Sequence, residues 1–546
     1  MRRNSHGDVD SGYSTHMIMR VPSFLLMSIG LVMTVSGYFL VRSLIWALER
    51  IFIAPNIGRL KRMLQDATSY TEWHNIATRL NKASSGYVWR ISNVSEESFE
   101  KDLEDAVRHL RNCRKAEDCC EIGKNLTRYL NCPSTSRVFS LENHRRSWIG
   151  SKRLIELFIS ELVESINRLA AMTATDPESI AIGREVLYSN SFGRTALCLS
   201  GGGSMGLQHI GVLEALNEHG LIPRILSGTS AGSIVAAAYC VRNEAEVKRD
   251  FTREHLYPSY QALWNTWTDR LYKLVTKGYM FDQDHWRTGL AEFTLGDTTF
   301  IEAYNRTGKI LNISTTARYT NVNFNHVTSP NVIIWSACIA SCAMPTFFGQ
   351  PVIYEKGTDG EKRPMRMESY ADGSLAGDVP AIELRSLFGV RFVVTSQVNP
   401  HITPFMFFRR GEPGEPICPP STLKGGWVLS TLEAYLKRQM QALLRVIDQT
   451  EIELTSSFRL SNIYLQNFHG NVTIWNSNEY IKKVLKCLDK VESEAEYDWW
   501  VHEGRRMTWP KIRYIQSRML IEQAVFKLEK EVQRNSETLR TASQST

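Results

Sequence analysis

Residues 224–237, RILSGTSAGSIVAA, join an apolar run, a turn of small residues and a run of small apolar residues. An apolar strand that passes through Gly-x-Ser-x-Gly into a helix is typical of a nucleophile elbow, where only small residues fit beside a strained serine. Gly228 and Gly232 occupy those positions around Ser230. Because the pattern also occurs by chance, it predicts a strand, a tight turn and a helix, with Ser230 as a candidate nucleophile.

A second unit of the same kind precedes this one. Residues 195–200 are a short apolar strand candidate, and a glycine cluster and a helical pattern follow them. Two such units in succession predict an α/β fold with a mainly parallel sheet covered by helices. Successive glycines allow a tight turn, and their N–H groups at a helix N-terminus favour negative charge. The glycines of this candidate anion loop are Gly201, Gly202, Gly203 and Gly206.

The glycine cluster also fits the GxGxxG pattern of dinucleotide sites. That reading needs an acidic residue about 20 positions further on. Leu226 and Ser227 stand there instead, so an oxyanion or a phosphate is the better-supported ligand of the loop.

A serine nucleophile needs a general base, and the residues alone leave several candidates. His209 follows the glycine loop on a helical pattern, and His401 follows the strand candidate at 392–396. Asp372 lies in the turn YADGSLAGDVP, with Asp378 six residues beyond it as a rival or a helix cap. Asp359 is a further Asp-Gly, but it stands in a charged run typical of an exposed turn.

The N-terminal region contains an apolar segment over residues 21–48. Its first 21 residues carry no charge. An uncharged run of this length is long enough for a membrane helix and too long for the hydrophobic core of a cleaved signal peptide. A buried core helix is the alternative. Arginines flank both ends, so the sequence decides neither the orientation nor whether the segment spans the membrane or returns.

Changes in periodicity divide the chain into regions. Additional strand candidates lie at 310–314 and 332–334. The expected regions are an N-terminal tail (1–20), the membrane segment (21–48), a helical domain (55–190), a catalytic domain (195–400), a mainly helical C-terminal region (401–532) and a disordered tail (533–546).

Composition excludes some functions. The ten cysteines form no CxxC pair and no zinc-type spacing, which indicates free thiols, a reducing compartment and no metal site. No basic segment with interleaved aromatic residues supports nucleic-acid binding. The net charge of +7 over 546 residues is mild and compatible with anionic lipid headgroups.

Several motifs in order resemble one known family. They are GGGSMGLQHIGVLEAL (201–216), TFIEAYNRTGKILNIS (299–314), WSACIASCAMPTFF (335–348), ADGSLAGDVP (371–380), SQVNPHITPF (396–405) and EGRRMTWPKI (503–512). They look like the patatin-like phospholipase family and, more narrowly, its triacylglycerol-lipase branch of fungal and plant lipid droplets. SYTEWHNIATRLN (69–81) resembles the helical domain of that branch. The likeness runs from about residue 60 to 530 and implies a three-layer α/β sandwich between helical regions.

The resemblance also implies the chemistry. Ser230 corresponds to the nucleophile and Asp372 to its base in a dyad without histidine, metal or other cofactor. The four glycines of the loop correspond to the oxyanion hole. Met205 stands where many patatins carry a basic residue, and Ser374 follows the Asp-Gly motif where Gly or Ala is usual.

The expected function is a triacylglycerol lipase on an endoplasmic-reticulum membrane or lipid droplet, with its catalytic domain facing the cytosol. A phospholipase A2 or lysophospholipase with the same dyad is the alternative enzyme. A non-catalytic lipid-droplet scaffold is the alternative of another class. The segment Pro404–Arg410, with aromatic residues beside two arginines, is either an interfacial anchor or a partly buried loop.

Overall fold

The computed structural model describes most of the chain. Its residues are 9–52, 55–84, 86–92, 97–317, 320–344, 347–365, 370–375, 377–400, 402, 412–416, 426–449, 466–475, 487 and 489–544. His401 and the expected anchor segment at 404–410 lie outside these residues.

Helices dominate both ends of the described chain. Before the first strand they are α1 (Val9–Phe52), α2 (Pro55–Gln65), α3 (Tyr70–Ala83), α4 (Gly86–Ile91), α5 (Glu97–Ala116), α6 (Cys119–Asn131), α7 (Pro133–Val138), α8 (Arg153–Met172) and α9 (Pro177–Ser189). Between the strands they are α10 (Gln208–Glu218), α11 (Ala231–Cys240), α12 (Glu244–Asp250), α13 (Arg253–Ala262), α14 (Trp267–Lys277), α15 (Gln283–Phe293), α16 (Phe300–Thr307), α17 (Ile334–Cys342), α18 (Ala381–Phe388) and α19 (Gly426–Gln449). The C-terminal pair is α20 (Glu494–Thr508) and α21 (Ile512–Gln544).

A mainly parallel sheet lies at the centre. Its strands are β1 (Arg194–Leu199), β2 (Ile225–Thr229), β3 (Ile310–Ala317), β4 (Thr320–Phe324), β7 (Tyr370–Asp372), β8 (Val390–Gln397) and β9 (Val472–Trp475). The order is β4-β3-β2-β1-β8-β9, and β7 also pairs with β3. The pairs β1–β2, β1–β8, β2–β3 and β8–β9 are parallel, whereas β4 and β7 each run antiparallel to β3. A separate hairpin consists of β5 (Tyr354–Lys356) and β6 (Lys362–Pro364).

Both faces of the sheet are covered. Along β1, Leu197 and Leu199 join a core that includes α10, α11 and α17, whereas Ala196 and Cys198 join a second core with Leu384 of α18. This alternation follows from the two-residue period of a strand. The expected α/β fold, with a mainly parallel sheet between helical layers, is therefore confirmed.

The C-terminal helix completes the core of the N-terminal helices. Ile521 and Leu528 of α21 pack in one cluster with Leu162 and Ile166 of α8. The expected disordered tail at 533–546 is wrong over its described part, because α21 continues to Gln544 and no glycine or proline interrupts it.

Two strands also differ from what the sequence predicts. Strand β9 belongs to the central sheet although it lies inside the region expected to be mainly helical. The strand expected at 332–334 is absent: Val332 and Ile333 form isolated bridges, and α17 begins at Ile334. A short buried apolar run does not distinguish strand from helix by its periodicity.

Helix α1 contains the apolar segment as one continuous helix of 44 residues with Pro22 inside it. Residues Pro22–Ile45 contain an 18-residue window with a mean hydropathy of 2.1, and only 11% of that window is buried. It is long and apolar enough to cross a membrane, and its exposure distinguishes it from the core helix of a soluble domain.

Helix α20 packs against α10, which follows the glycine loop, through two glycines. A Cβ atom on Gly504 would lie 2.0 Å from the Gln208 carbonyl oxygen, and one on Gly211 would lie 1.8 Å from the Val501 carbonyl oxygen. The two helix backbones therefore touch at this crossing.

We predict that Gly504→Ala lowers the free energy of unfolding by about 1–3 kcal/mol, because the added methyl group forces the backbones apart. Urea denaturation monitored by circular dichroism measures this. Ala495→Ser, at an exposed position of the same helix, is the control and should stay within about 0.5 kcal/mol of wild type. An unchanged midpoint for Gly504→Ala would contradict the close crossing.

Candidate active site

Ser230 occupies a strained turn between β2 and α11. Its backbone has φ 51° and ψ −127°, although it carries a side chain. A non-glycine residue in such a region costs of order 1–3 kcal/mol and persists only where the surrounding structure enforces it. The expected strand, turn and helix around Ser230 are all present.

The two flanking glycines are required by close backbone contacts. A Cβ atom on Gly228 would lie 2.5 Å from the Gly232 carbonyl oxygen. One on Gly232 would lie 2.2 Å from the Leu199 carbonyl oxygen, at the end of the neighbouring strand. Neither contact is with a flexible side chain, so no other residue fits without a shift of the backbone.

A serine of α17 holds this turn in place. The N–H of Ser230 donates to Ser341 Oγ at 2.8 Å, and the Ser341 hydroxyl donates to the Ser314 carbonyl oxygen at 2.6 Å. Ser341 thus connects the turn to β3. The sequence alone does not indicate this role; the available signal is a serine within the apolar run of α17.

Asp372 lies at the end of β7 and is buried. Its Oδ1 accepts from the Ser374 N–H at 2.9 Å and from the Ser374 hydroxyl at 2.7 Å. Burial raises the pKa of Asp372, whereas the bonds from Ser374 and, more weakly, the nearby Ser230 side chain lower it. The structure therefore brings Ser230 and Asp372 together, and Ser374 stabilises the carboxylate.

The glycine loop contributes two candidate oxyanion donors. Within the described residues, the N–H groups of Gly202 and Gly203 make no hydrogen bond. Gly203 has φ 61°, and a Cβ there would lie 2.2 Å from the Cys487 carbonyl oxygen. Gly206 has another role: its missing side chain admits Ala231, whose Cβ is 2.7 Å from the position a Gly206 Cβ would take.

The expectation for Gly201 needs correction. Its N–H donates to Asp378 Oδ1 at 3.0 Å and is therefore not directed at a substrate. Gly201 is instead needed for its size, because a Cβ there would lie 3.3 Å from the Cβ of Ser230.

Asp378 organises this edge of the sheet from a buried position. Besides the Gly201 N–H, it accepts at Oδ2 from Gln397 Nε2 and Asn399 Nδ2, both at 2.9 Å. Burial raises the pKa of Asp378 to about 6 despite these donors. The sequence alone suggests only a rival base or a helix cap at Asp378, because its three donors are distant along the chain.

The other candidate bases lie elsewhere. His209 is buried, with Nδ1 2.8 Å from Ser396 Oγ and Nε2 2.9 Å from the Ser200 carbonyl oxygen. Burial lowers the pKa of His209 to about 4, so it is a neutral structural residue. Asp359 is exposed in a turn beside β6. Within the described chain, no three His, Cys, Asp or Glu side chains gather in a group that could hold a metal.

Ser230 and Asp372 both line a cavity of about 300 Å³. Gly202, Gly203 and Ser374 line the same cavity. The rest of its described wall is mainly apolar, with Leu207, Ile234, Val235, Leu263, Trp264, Phe281, Trp286, Met344, Phe347 and Phe348. The nucleophile candidate therefore faces a space suited to a hydrocarbon chain.

Comparisons with known proteins agree with this architecture. A family model described as patatin-like phospholipase matches residues 197–385, and one described as a domain of unknown function (DUF3336) matches residues 52–186. Triacylglycerol lipase ptl2 of Schizosaccharomyces pombe is 33% identical over 482 residues, which cover 86% of this chain and 75% of that protein. A patatin-like phospholipase domain-containing protein of Coccidioides immitis is 32% identical, over 93% of this chain and 72% of its own length.

Among solved structures, VipD from Legionella pneumophila shares 14% identity and a TM-score of 0.28, over 59% of this chain and 67% of its own. That likeness is too weak to add to the relationship in sequence. Sequence identity above 30% across most of both chains shows that the chain belongs to the patatin-like phospholipase family.

Proposed function

We propose that the protein is a serine lipase of a membrane or lipid-droplet surface that hydrolyses triacylglycerol to diacylglycerol and a fatty acid. One observation carries the proposal: the strained Ser230 opens onto an apolar cavity whose wall also contains Asp372. Ser230 is the proposed nucleophile and Asp372 the proposed general base.

In the first half of the proposed reaction, Ser230 Oγ attacks the ester carbonyl carbon while its proton passes to the Asp372 carboxylate. The raised pKa of Asp372 suits this role, because a base is most effective when its pKa lies nearer the working pH. The N–H groups of Gly202 and Gly203 stabilise the oxyanion of the tetrahedral intermediate.

Collapse of that intermediate expels diacylglycerol, whose oxygen takes the proton from Asp372. The acyl chain remains on Ser230 as an ester. Water then attacks this ester, again with Asp372 as the base, and fatty acid leaves as Ser230 regains its proton. Asp372 thus ends each cycle as a carboxylate.

The charge of the cavity favours a neutral ester. Its described lining contains no lysine, arginine or histidine that would pair with a phosphate group. The relative from Schizosaccharomyces pombe is named a triacylglycerol lipase, which supports the same choice. A phospholipase A2 or lysophospholipase acting through the same dyad is the second candidate, supported by the description of the family model.

Two helices with exposed apolar side chains support work at a lipid surface. Helix α1 is one. The other is α14, where Trp267, Leu271, Tyr272 and Val275 are each more than half exposed. Helix α14 adjoins the cavity, because its buried Arg270 lies over the rings of Trp264 and Phe281 in the cavity wall. We place the enzyme on the endoplasmic reticulum or a lipid droplet, with the catalytic domain in the cytosol.

We predict that Ser230→Ala and Asp372→Asn each lower fatty-acid release from triolein emulsion at least about 1,000-fold, because the nucleophile and its base act as a unit. Asp359→Asn, at the exposed Asp-Gly, is the matched control and should retain activity. Phosphatidylcholine emulsion is assayed beside triolein, and release from phosphatidylcholine alone would favour the phospholipase.

Labelling by a fluorophosphonate separates the enzyme from a scaffold that only keeps the fold. We expect an adduct on Ser230 in folded wild-type protein. Absence of that adduct would contradict the enzymatic proposal, and equal fatty-acid release by wild type and Ser230→Ala would indicate a contaminating lipase.

Asp378→Asn tests the positioning of the glycine loop. The asparagine side chain has one oxygen in place of two. It therefore cannot accept from the Gly201 N–H and from the side-chain amides of Gln397 and Asn399 at once, and the glycine loop should move. We expect kcat to fall on the order of 100-fold, since displacement by about 1 Å is enough for such a loss. KM should change little, and the exposed variant Glu361→Gln should behave as wild type. An unchanged kcat in folded Asp378→Asn would show that the loop does not depend on this residue.

The double variant Leu271→Glu/Val275→Glu tests the role of α14. Because both side chains are exposed, the fold should tolerate the change, whereas loss of apolar contact should lower triolein hydrolysis by about 10- to 100-fold. Ile382→Glu is the control, at an exposed position of α18 on the opposite face of the sheet. Hydrolysis of a soluble short-chain ester should be similar in all three proteins. An equal loss on the soluble ester would indicate damage to the active site.

A further inference from the structure

Helix α1 does not stand alone, because α19 packs antiparallel along the same apolar stretch. The position of a Gly30 Cβ lies 3.7 Å from Leu443, and that of a Gly37 Cβ lies 4.0 Å from Leu436. Further along, Arg42 Nη1 is 2.7 Å from Glu433 Oε2. The residue numbers of these contacts rise along α1 and fall along α19. The two helices are therefore antiparallel and form a hairpin-like pair.

The sequence of α19 is unsuited to the hydrocarbon core. Glu433, Lys437, Arg438 and Arg445 all lie within or next to the paired stretch, and Arg438 and Arg445 are exposed. Charged side chains at the centre of a bilayer are costly unless they face protein or water. If α1 crossed a membrane with α19 beside it, these charges would have to enter as well.

A crossing by α1 alone is also disfavoured. It would separate Arg42 from Glu433, and both side chains are almost completely buried in the pair. Separation would leave Arg42 near the end of the apolar stretch without this carboxylate. Glu433 also pairs with Lys437 at 3.0 Å, which fixes it further on α19.

The outer surface of the pair matches a lipid surface. One face of α1 exposes apolar side chains, among them Leu25, Ile29, Met33, Leu40 and Leu44. The exposed face of α19 adds Leu432, Tyr435 and Val446 beside its two exposed arginines. An apolar face with arginines near it suits the boundary between acyl chains and anionic headgroups, where helices lie in the plane of the surface.

We propose that α1 and α19 form an interfacial hairpin that lies in one leaflet of a phospholipid-coated surface and does not cross it. The N-terminus of α1 and the catalytic domain are then on the same side. Such a hairpin binds a phospholipid monolayer over neutral lipid as well as a bilayer, because it needs no second aqueous face. The inference rests on the surface association in the proposed function but not on its chemistry.

Glycosylation mapping tests the topology. An Asn-Gly-Thr acceptor tail is added to either end of the full chain, and each version is translated in the presence of endoplasmic-reticulum microsomes. We expect both versions to float with the microsomes and neither tail to be glycosylated. Glycosylation of either tail would overturn the proposal, and so would failure to float. The assay does not depend on hydrolysis, so a Ser230→Ala chain must give the same result whether or not the proposed reaction is correct.

A charge exchange tests the pairing of the helices. We expect Glu433→Lys to reduce flotation with triolein droplets, coated by phosphatidylcholine and phosphatidylserine, at least tenfold. The double variant Arg42→Glu/Glu433→Arg should recover most of it, because the pair is restored with its charges exchanged. Unchanged binding by Glu433→Lys would show that α1 binds lipid independently of α19, and no recovery in the exchanged pair would show that binding does not depend on the Arg42–Glu433 pair. Either result would overturn the proposal. Wild-type protein that binds bilayer vesicles but not coated droplets would also overturn the proposal.

Discussion

The strained backbone at Ser230 is the constraint on which the rest of the site depends. A non-glycine residue at φ 51° is held there only because the ends of β1 and β2 and the start of α11 meet with no side chain between them. The order of the sheet provides this meeting, since β1 lies between β2 and β8 with all three parallel. The glycine loop, the elbow and Asn399 therefore leave the sheet at the same carboxyl edge, where open α/β sheets place their ligands.

Two buried carboxyl groups divide the work at this edge. Both have raised pKa values because of burial, but their surroundings differ. Asp378 accepts from one backbone N–H and two side-chain amides, so it fixes the start of the glycine loop, and it does not belong to the described lining of the cavity. Asp372 lines the cavity and receives two of its bonds from one neighbouring residue, Ser374, which leaves room to accept a proton. Their different partners, not their residue type, distinguish the proposed base Asp372 from Asp378, which supports the loop.

The sequence was informative where the structure is local. The turn around Ser230 depends on neighbours in the chain, and the mainly parallel sheet is indicated by the alternation of strands and helices along it; both were predicted. Ser341 and the true role of Asp378 were missed because each acts on a residue more than 100 positions away. Strand β9 was missed for a similar reason: four residues carry little periodicity, and pairing with β8 decides their conformation. The Gly201 N–H donates to Asp378, and no spacing pattern in the sequence indicates this bond.

Arg270 joins the cavity to the surface from which a lipid substrate would come. Its guanidinium lies 4.7 Å from the ring centre of Trp267 on the exposed side and 5.0 Å from that of Trp264 in the cavity wall. Burial lowers the pKa of Arg270, so the stacked rings compensate part of the cost of keeping it charged away from water. In the proposed lipase, Arg270 therefore contacts both the exposed helix that faces the lipid surface and the aromatic wall of the cavity.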